Sequence, residues 1–167
     1  LVLSATWIFS GLQKLNPAFA LEIFPWLMEP FGLKDIAENS HEMAVVAGLL
    51  EAFGGLALWV PRLQKVGFVL VLGLHLVILL VLGPFGHNWN PVVWPWNLCF
   101  MALLFVHFYP GRAVEPSHFR VLRTQFQSKM LRAMMVAVIV LPALNFAGLW
   151  DHFLSGSFYS GKTPDAV

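Results

Sequence analysis

Long apolar runs separated by short polar stretches set the pattern of this chain. The clearest lies at residues 73–109: GLHLVILLVLG, then PFGHNWNPVVWPWN, then LCFMALLFVHFY. Both flanks are uncharged, and the longer runs they belong to, 65–83 and 92–109, approach the ~20 residues that a bilayer-crossing helix needs. The turn between them is too aromatic and too polar for an ordinary linker.

The same pattern predicts five apolar helices. The first covers residues 1–15 and ends at Asn16-Pro17, because the residue before a proline avoids helical angles. The second covers 41–60, with Asn39 or Ser40 as its cap and Glu42 in its first turn. The third covers 65–83 and the fourth 92–109. Pro95 falls in the first turn of the fourth, where a missing donor costs little. The fifth covers 129–150 and is loosened at Pro142. Between the first two, residues 17–39 mix Phe, Trp and Pro with scattered charges, which reads as an interfacial segment lying on a bilayer. Residues 110–128 read as a basic linker and 151–167 as an outward-facing tail. The apolar start and polar end suggest a chain that continues beyond both.

Composition sharpens the class. Of 167 residues, 58% are hydrophobic and 11% are charged, with mean hydropathy +0.72. Soluble domains run at about 45–50% apolar and ~25% charged, and one core of this size cannot bury such an excess. The expected fold is therefore all-α: a polytopic membrane protein with a four-helix bundle over 1–109 and a fifth helix over 129–150. Net charge is +1, and no basic patch interleaves with aromatics, so a nucleic-acid partner is not expected. The single cysteine, Cys99, leaves no internal disulfide and no CxxC pair. It reads as a buried, inert thiol.

Charge also orients the chain. Arg62, Lys65, Arg112, Arg120, Arg123, Lys129 and Arg132 fall on one side, and most acidic residues on the other. The positive-inside rule places loops 61–65 and 110–132 in the cytoplasm. The turn 84–92 and the tail then face outward. A bacterial inner membrane, with periplasm outside, is the expected setting.

Candidate chemistry gathers at two places. Glu51 and His75 each lie about 14–15 Å from the loop that joins their helices, at ~1.5 Å per residue. Ionisable groups at that depth are costly and tend to pair. The pair reads either as a proton relay or quinone contact, or as a neutral structural bond between two helices. On the second helix Gly48, Glu51, Ala52 and Gly55 share one face, where small residues allow close approach. The second place is an outer mouth formed by Lys14, His41, His87, Asn88, Asn90 and Asn97, walled by Trp89, Trp94 and Trp96. Candidate ligand contacts there are His87, Asn97, Trp94 and Trp96, and the competing reading is an aromatic belt with Asn97 as interhelix glue. Lys14, Glu51 and His75 are the candidate catalytic groups. His107 lies about 12 Å from the depth of His75, too far to share a haem. Neither HxxxH nor HExxH occurs, so no metal is expected. Walker, dinucleotide-binding and GxSxG signatures are absent.

Two segments carry a family resemblance: IFSGLQKL at 8–15 and LLEAFGGLALWVPRLQKVG at 49–67. Over residues 1–109 the chain resembles the DoxX/MauE-like small integral membrane proteins. That resemblance implies a four-helix bundle and, for some members, partnership with quinone-linked or thiol-linked redox enzymes. More distantly, Gly11–Leu15 and His75 resemble the membrane domain of vitamin K-dependent carboxylase-like (HTTM) proteins, which implies a catalytic role for Lys14. The carboxylase's large lumenal domain has no counterpart here.

Two functions compete on these grounds. One is an accessory integral-membrane subunit of a larger redox, respiratory or photosynthetic complex, with other membrane subunits as partners. The other is a small membrane enzyme or quinone-binding redox protein that uses Glu51, His75 and Lys14. A quinone or bound lipid is the expected small-molecule partner. A transporter without inverted repeats is less favoured.

Overall fold

The structure is a computed structural model that describes residues 2–89, 91–109 and 129–150. Asn90, the linker 110–128 and the tail 151–167 lie outside the described residues. Among the described residues the chain is all-helical. Its main helices are α1 (Val2–Gln13), α2 (Phe24–Met28), α3 (Lys34–Asn39), α4 (His41–Ala57), α5 (Gln64–Leu82), α6 (Val93–Phe108) and α7 (Lys129–Leu144).

Two helical stretches are long and apolar enough to cross a membrane, Gln64–Leu82 and Lys129–Ala147, and Val93–Phe108 is apolar but shorter. Helix α1 has 12 residues and α4 has 17, both short of the ~20 expected for a span.

Side chains of α1, α5 and α6 meet Leu58, the residue that caps α4, in one apolar cluster of Trp7, Leu58, Phe68, Val71, Leu104 and Phe108. The α1–α4 contact is very close, because glycines face backbone. A Cβ built on Gly11 would lie 2.5 Å from Ala52 N and Gly48 O. One on Gly55 would lie 3.0 Å from Ser4 O and Ile8 N. The small-residue face expected on this helix is thus the face that meets α1. Gly54 points instead at Leu70 and Val71 of α5. These contacts fix α1 and α4 as antiparallel.

Residues 17–39 form short helices rather than one rod. Asn16 makes the break: its amide donates to Gln13 O at 2.7 Å, and its Oδ1 accepts from Phe19 N–H at 3.0 Å. One side chain therefore closes α1 and opens the next segment. A π-helical turn, Phe19–Ile23, runs into α2, where Pro25 lacks a donor. Gly32, at φ +68, ends that run, with Gly32 N–H donating to Glu29 O and Leu33 N–H to Met28 O. The segment seats Phe19, Ala20, Phe24 and Ala37 on Ala44 of α4. Ser40 occupies the cap position of α4 without a side-chain hydrogen bond, and Asn39 turns back to Asp35 O at 2.7 Å. Neither provides the expected side-chain cap. Helix α7 contains Pro142, as anticipated, and continues into a 3-10 turn, Asn145–Ala147. It meets α1 at one end, where Gln13 Nε2 donates to Asn145 Oδ1 at 2.9 Å.

Candidate functional site

Besides the Gln13–Asn145 contact, polar side chains form two clasps among α1, α4, α5 and α6. The first joins three helices. Trp7 Nε1 of α1 lies 2.9 Å from His75 Nε2 of α5, and His75 Nδ1 lies 2.7 Å from Asn97 Oδ1 of α6. Asn97 Nδ2 then donates to Val93 O one turn back, at 2.8 Å. An indole can only donate, so His75 Nε2 must be the accepting nitrogen. The proton then sits on Nδ1 and is donated to Asn97. Both ring nitrogens are used and the imidazole is neutral in this arrangement. Phe100 stacks on the ring at 5.6 Å and 9°.

The second clasp joins α1 to α4. Lys14 Nζ lies 2.8 Å from Glu51 Oε2, and both side chains are largely buried. Lys14 also donates to Ser10 Oγ at 2.8 Å. The carboxylate contact is close but poorly directed, so Oε2 has the ion pair without an aligned hydrogen bond. A Cβ on Gly48, one turn away on α4, would lie 2.9 Å from Gly11 O and 3.0 Å from Leu15 Cδ2, so the glycine keeps the end of α1, and Lys14 with it, close to α4.

The expected Glu51–His75 pair is therefore rearranged. Both residues are buried and face inward, and Glu51 and Lys14 lie within electrostatic range of the imidazole. Yet the hydrogen bonds of His75 go to Trp7 and Asn97, and the partner of Glu51 is Lys14. The reason is the third helix: α1 lies against α4 and supplies both a donor and a cation. Trp7 and Ser10 went unnoticed in the sequence. An indole in the middle of an apolar helix, away from either rim, was the available signal.

The outer mouth is also redistributed. Asn97 is buried with His75, and Lys14 turns inward to Glu51, so neither joins the turn. His87 stacks on Trp26 at 4.1 Å and 13°, with its Nε2 2.7 Å from Trp26 O. It thereby fastens the segment around α2 to the end of α5. Trp94 donates to Leu82 O at 3.1 Å, closing the last turn of α5. Among the described residues the other closing donors are the backbone N–H groups of Gly86, His87, Asn88 and Trp89. Asn88 holds φ +48, a left-handed position that asparagine tolerates. Trp96 is exposed and edges a small apolar groove of about 180 Å³ between α1 and α6, together with Thr6, Cys99 and Phe100. Cys99 is exposed, which corrects its reading as a buried thiol. Its helix turns that face outward because Asn97 and Leu104 take the inward one. Among the described residues no cluster of His, Cys, Asp and Glu is suited to hold a metal ion.

Comparison with protein-family models, curated proteins and solved structures gives no match for this chain.

Proposed function

We propose that this chain is a polytopic membrane helix bundle acting as an accessory subunit of a larger redox, respiratory or photosynthetic membrane complex. The observation that carries the reading is the inversion of polarity across the helices. Trp7, His75 and Asn97, and Ser10, Lys14 and Glu51, are occupied with one another inside. Large apolar side chains such as Leu49, Phe53, Val69, Leu76, Leu80, Met134 and Ile139 face outward. In lipid, that is the low-energy arrangement for apolar helices with a few polar groups. A histidine with both nitrogens committed suits a structural role better than proton transfer. The DoxX/MauE resemblance at residues 8–15 and 49–67 agrees with this reading.

On this reading α1, α4, α5 and α6 form the four-helix unit and α7 is added at its side. The Arg62–Lys65 turn faces the cytoplasm and the Trp-rich turn the periplasm of a bacterial inner membrane. Mild solubilisation of the tagged chain from its native membrane, followed by native electrophoresis, tests the assignment. The expected result is migration within a larger assembly. A homogeneous lone monomer overturns it.

A second reading, a quinone-binding redox protein, draws on one feature. Phe100 both lines the apolar groove and stacks on His75, so a quinone ring there would lie one aromatic layer from the imidazole. Redox activity lost in His75→Ala and in Glu51→Gln would support it. Activity unchanged in both would remove it.

A further inference from the structure

The connection between α1 and α4 crosses the end of the bundle where α1 finishes and α4 begins. Its inner side chains, Phe19, Ala20, Phe24 and Ala37, bury Ala44 of α4 and have Ala47 packed against them. Ala44, Ala47, Gly48 and Glu51 recur at helical spacing, so the connection sits on the face of α4 that carries Glu51. Ala47 is one turn, about 6 Å, from Glu51 along that face. On α1, Lys14 lies just before Asn16, whose side chain opens the connection. Residues 17–39 therefore lie next to the Lys14–Glu51 pair, whose side chains are 11% and 4% exposed.

This connection is lightly built. Its pieces are a five-residue π-helical turn, the five-residue α2 and the six-residue α3. Helices of that length have little stability of their own. Gly32, at φ +68 and with open space where a Cβ would stand, divides its two halves. Ser40 then joins the second half to α4 in a non-helical conformation, without a side-chain cap. Among the described residues, one hydrogen bond ties the middle of the connection to the rest of the bundle. His87 Nε2, in the turn after α5, donates to Trp26 O at 2.7 Å, because a carbonyl can only accept. The same imidazole stacks on the Trp26 ring, and Trp89 meets that indole at 6.2 Å and 81°. The fastening is thus concentrated on one residue, Trp26.

The geometry points to a hinged lid: residues 17–39 swing on Asn16 and Ser40, His87 on Trp26 is the latch, and release of the latch admits water to the Lys14–Glu51 pair. The lid is independent of the accessory-subunit reading. It gives solvent a route to a sealed charge pair while α1, α4, α5 and α6 stay packed.

Chemical labelling of the full chain in detergent tests it. An amine-reactive ester acylates lysines that water reaches, and peptide mass spectrometry reads Lys14 against the exposed Lys65. Acylation of Lys14 should rise about tenfold in His87→Ala, which removes both the stack and the hydrogen bond. It should rise by less in Trp26→Leu, which keeps the carbonyl. A buried thiol away from the lid separates lid opening from loss of the fold. In a Cys99→Ser background, Val71→Cys should react equally slowly with a water-soluble maleimide whether His87 is present or replaced by alanine. Unchanged acylation of Lys14 in His87→Ala overturns the inference, and so does a parallel rise in labelling of Val71→Cys. Hydrogen exchange of the parent chain needs no variant. Amides of Phe19–Ile23 and α2 should exchange together, and faster than those of α4 and α5. Exchange as slow as that of α4 would also overturn the lid.

Discussion

Lys14 and Glu51 illustrate how a buried charge is tolerated only in company. Removing one partner of such a pair leaves the other uncompensated, which costs more than removing both. Lys14→Met should therefore destabilise the bundle by about 3 kcal/mol, and adding Glu51→Leu should recover most of that loss. Thermal unfolding of the purified chain in detergent reads both variants, and a double variant worse than Lys14→Met would contradict the pairing. At the three-helix clasp, Trp7→Phe keeps the ring and removes the donor, for an expected cost of about 1 kcal/mol. His75→Ala strands both the indole and the Asn97 amide, so about 3 kcal/mol is expected from two unsatisfied buried groups. Equal unfolding temperatures for His75→Ala and the parent would show that the clasp does not hold the helices.

Elements were more legible than partners. The runs at 41–60, 65–83 and 92–109 already marked α4, α5 and α6, because sustained apolar sequence broken by Pro and Gly leaves few alternatives. Asn16-Pro17 correctly signalled the end of α1, and the identity of Asn16 explains how the chain turns there. Inward placement of Glu51 and His75 followed from their depth and cost. Their partners did not follow, because those depend on the rotation of α1 against α4. That rotation is set by Gly11, Gly48, Ala52 and Gly55 fitting backbone to backbone, a contact that hydropathy cannot register. The same close fit makes an element-scale prediction. Gly11→Val should drive α1 off α4 and abolish the folded bundle or lower its unfolding temperature sharply. Gly73, where an added methyl meets open space, should accept alanine with a gain of up to about 1 kcal/mol from helix propensity. If both substitutions behave alike, the glycine contact is not what joins α1 to α4.

Across the whole molecule, charge separates the two ends more cleanly than any motif does. Lys34 and its carboxylate partner Glu29, 3.6 Å away, sit at one end, and Arg62 at the other. For the proposed orientation, a Lys34→Cys variant made in a Cys99→Ser background should react with an impermeant maleimide on intact cells. The equivalent Arg62→Cys variant should react only after permeabilisation. The opposite labelling pattern would invert the topology, and labelling of both in intact cells would remove the bilayer from the account.

The indole and the amide that grip His75 also set a clock. The proton on its Nδ1 is handed to Asn97 inside the packed interior, so solvent reaches it only when α5 and α6 part. In a sample carrying nitrogen-15 histidine, transferred to heavy water, that single resonance should outlast the imidazole signals of His41, His87 and His107. Its rate of disappearance would then time the spontaneous opening of the bundle.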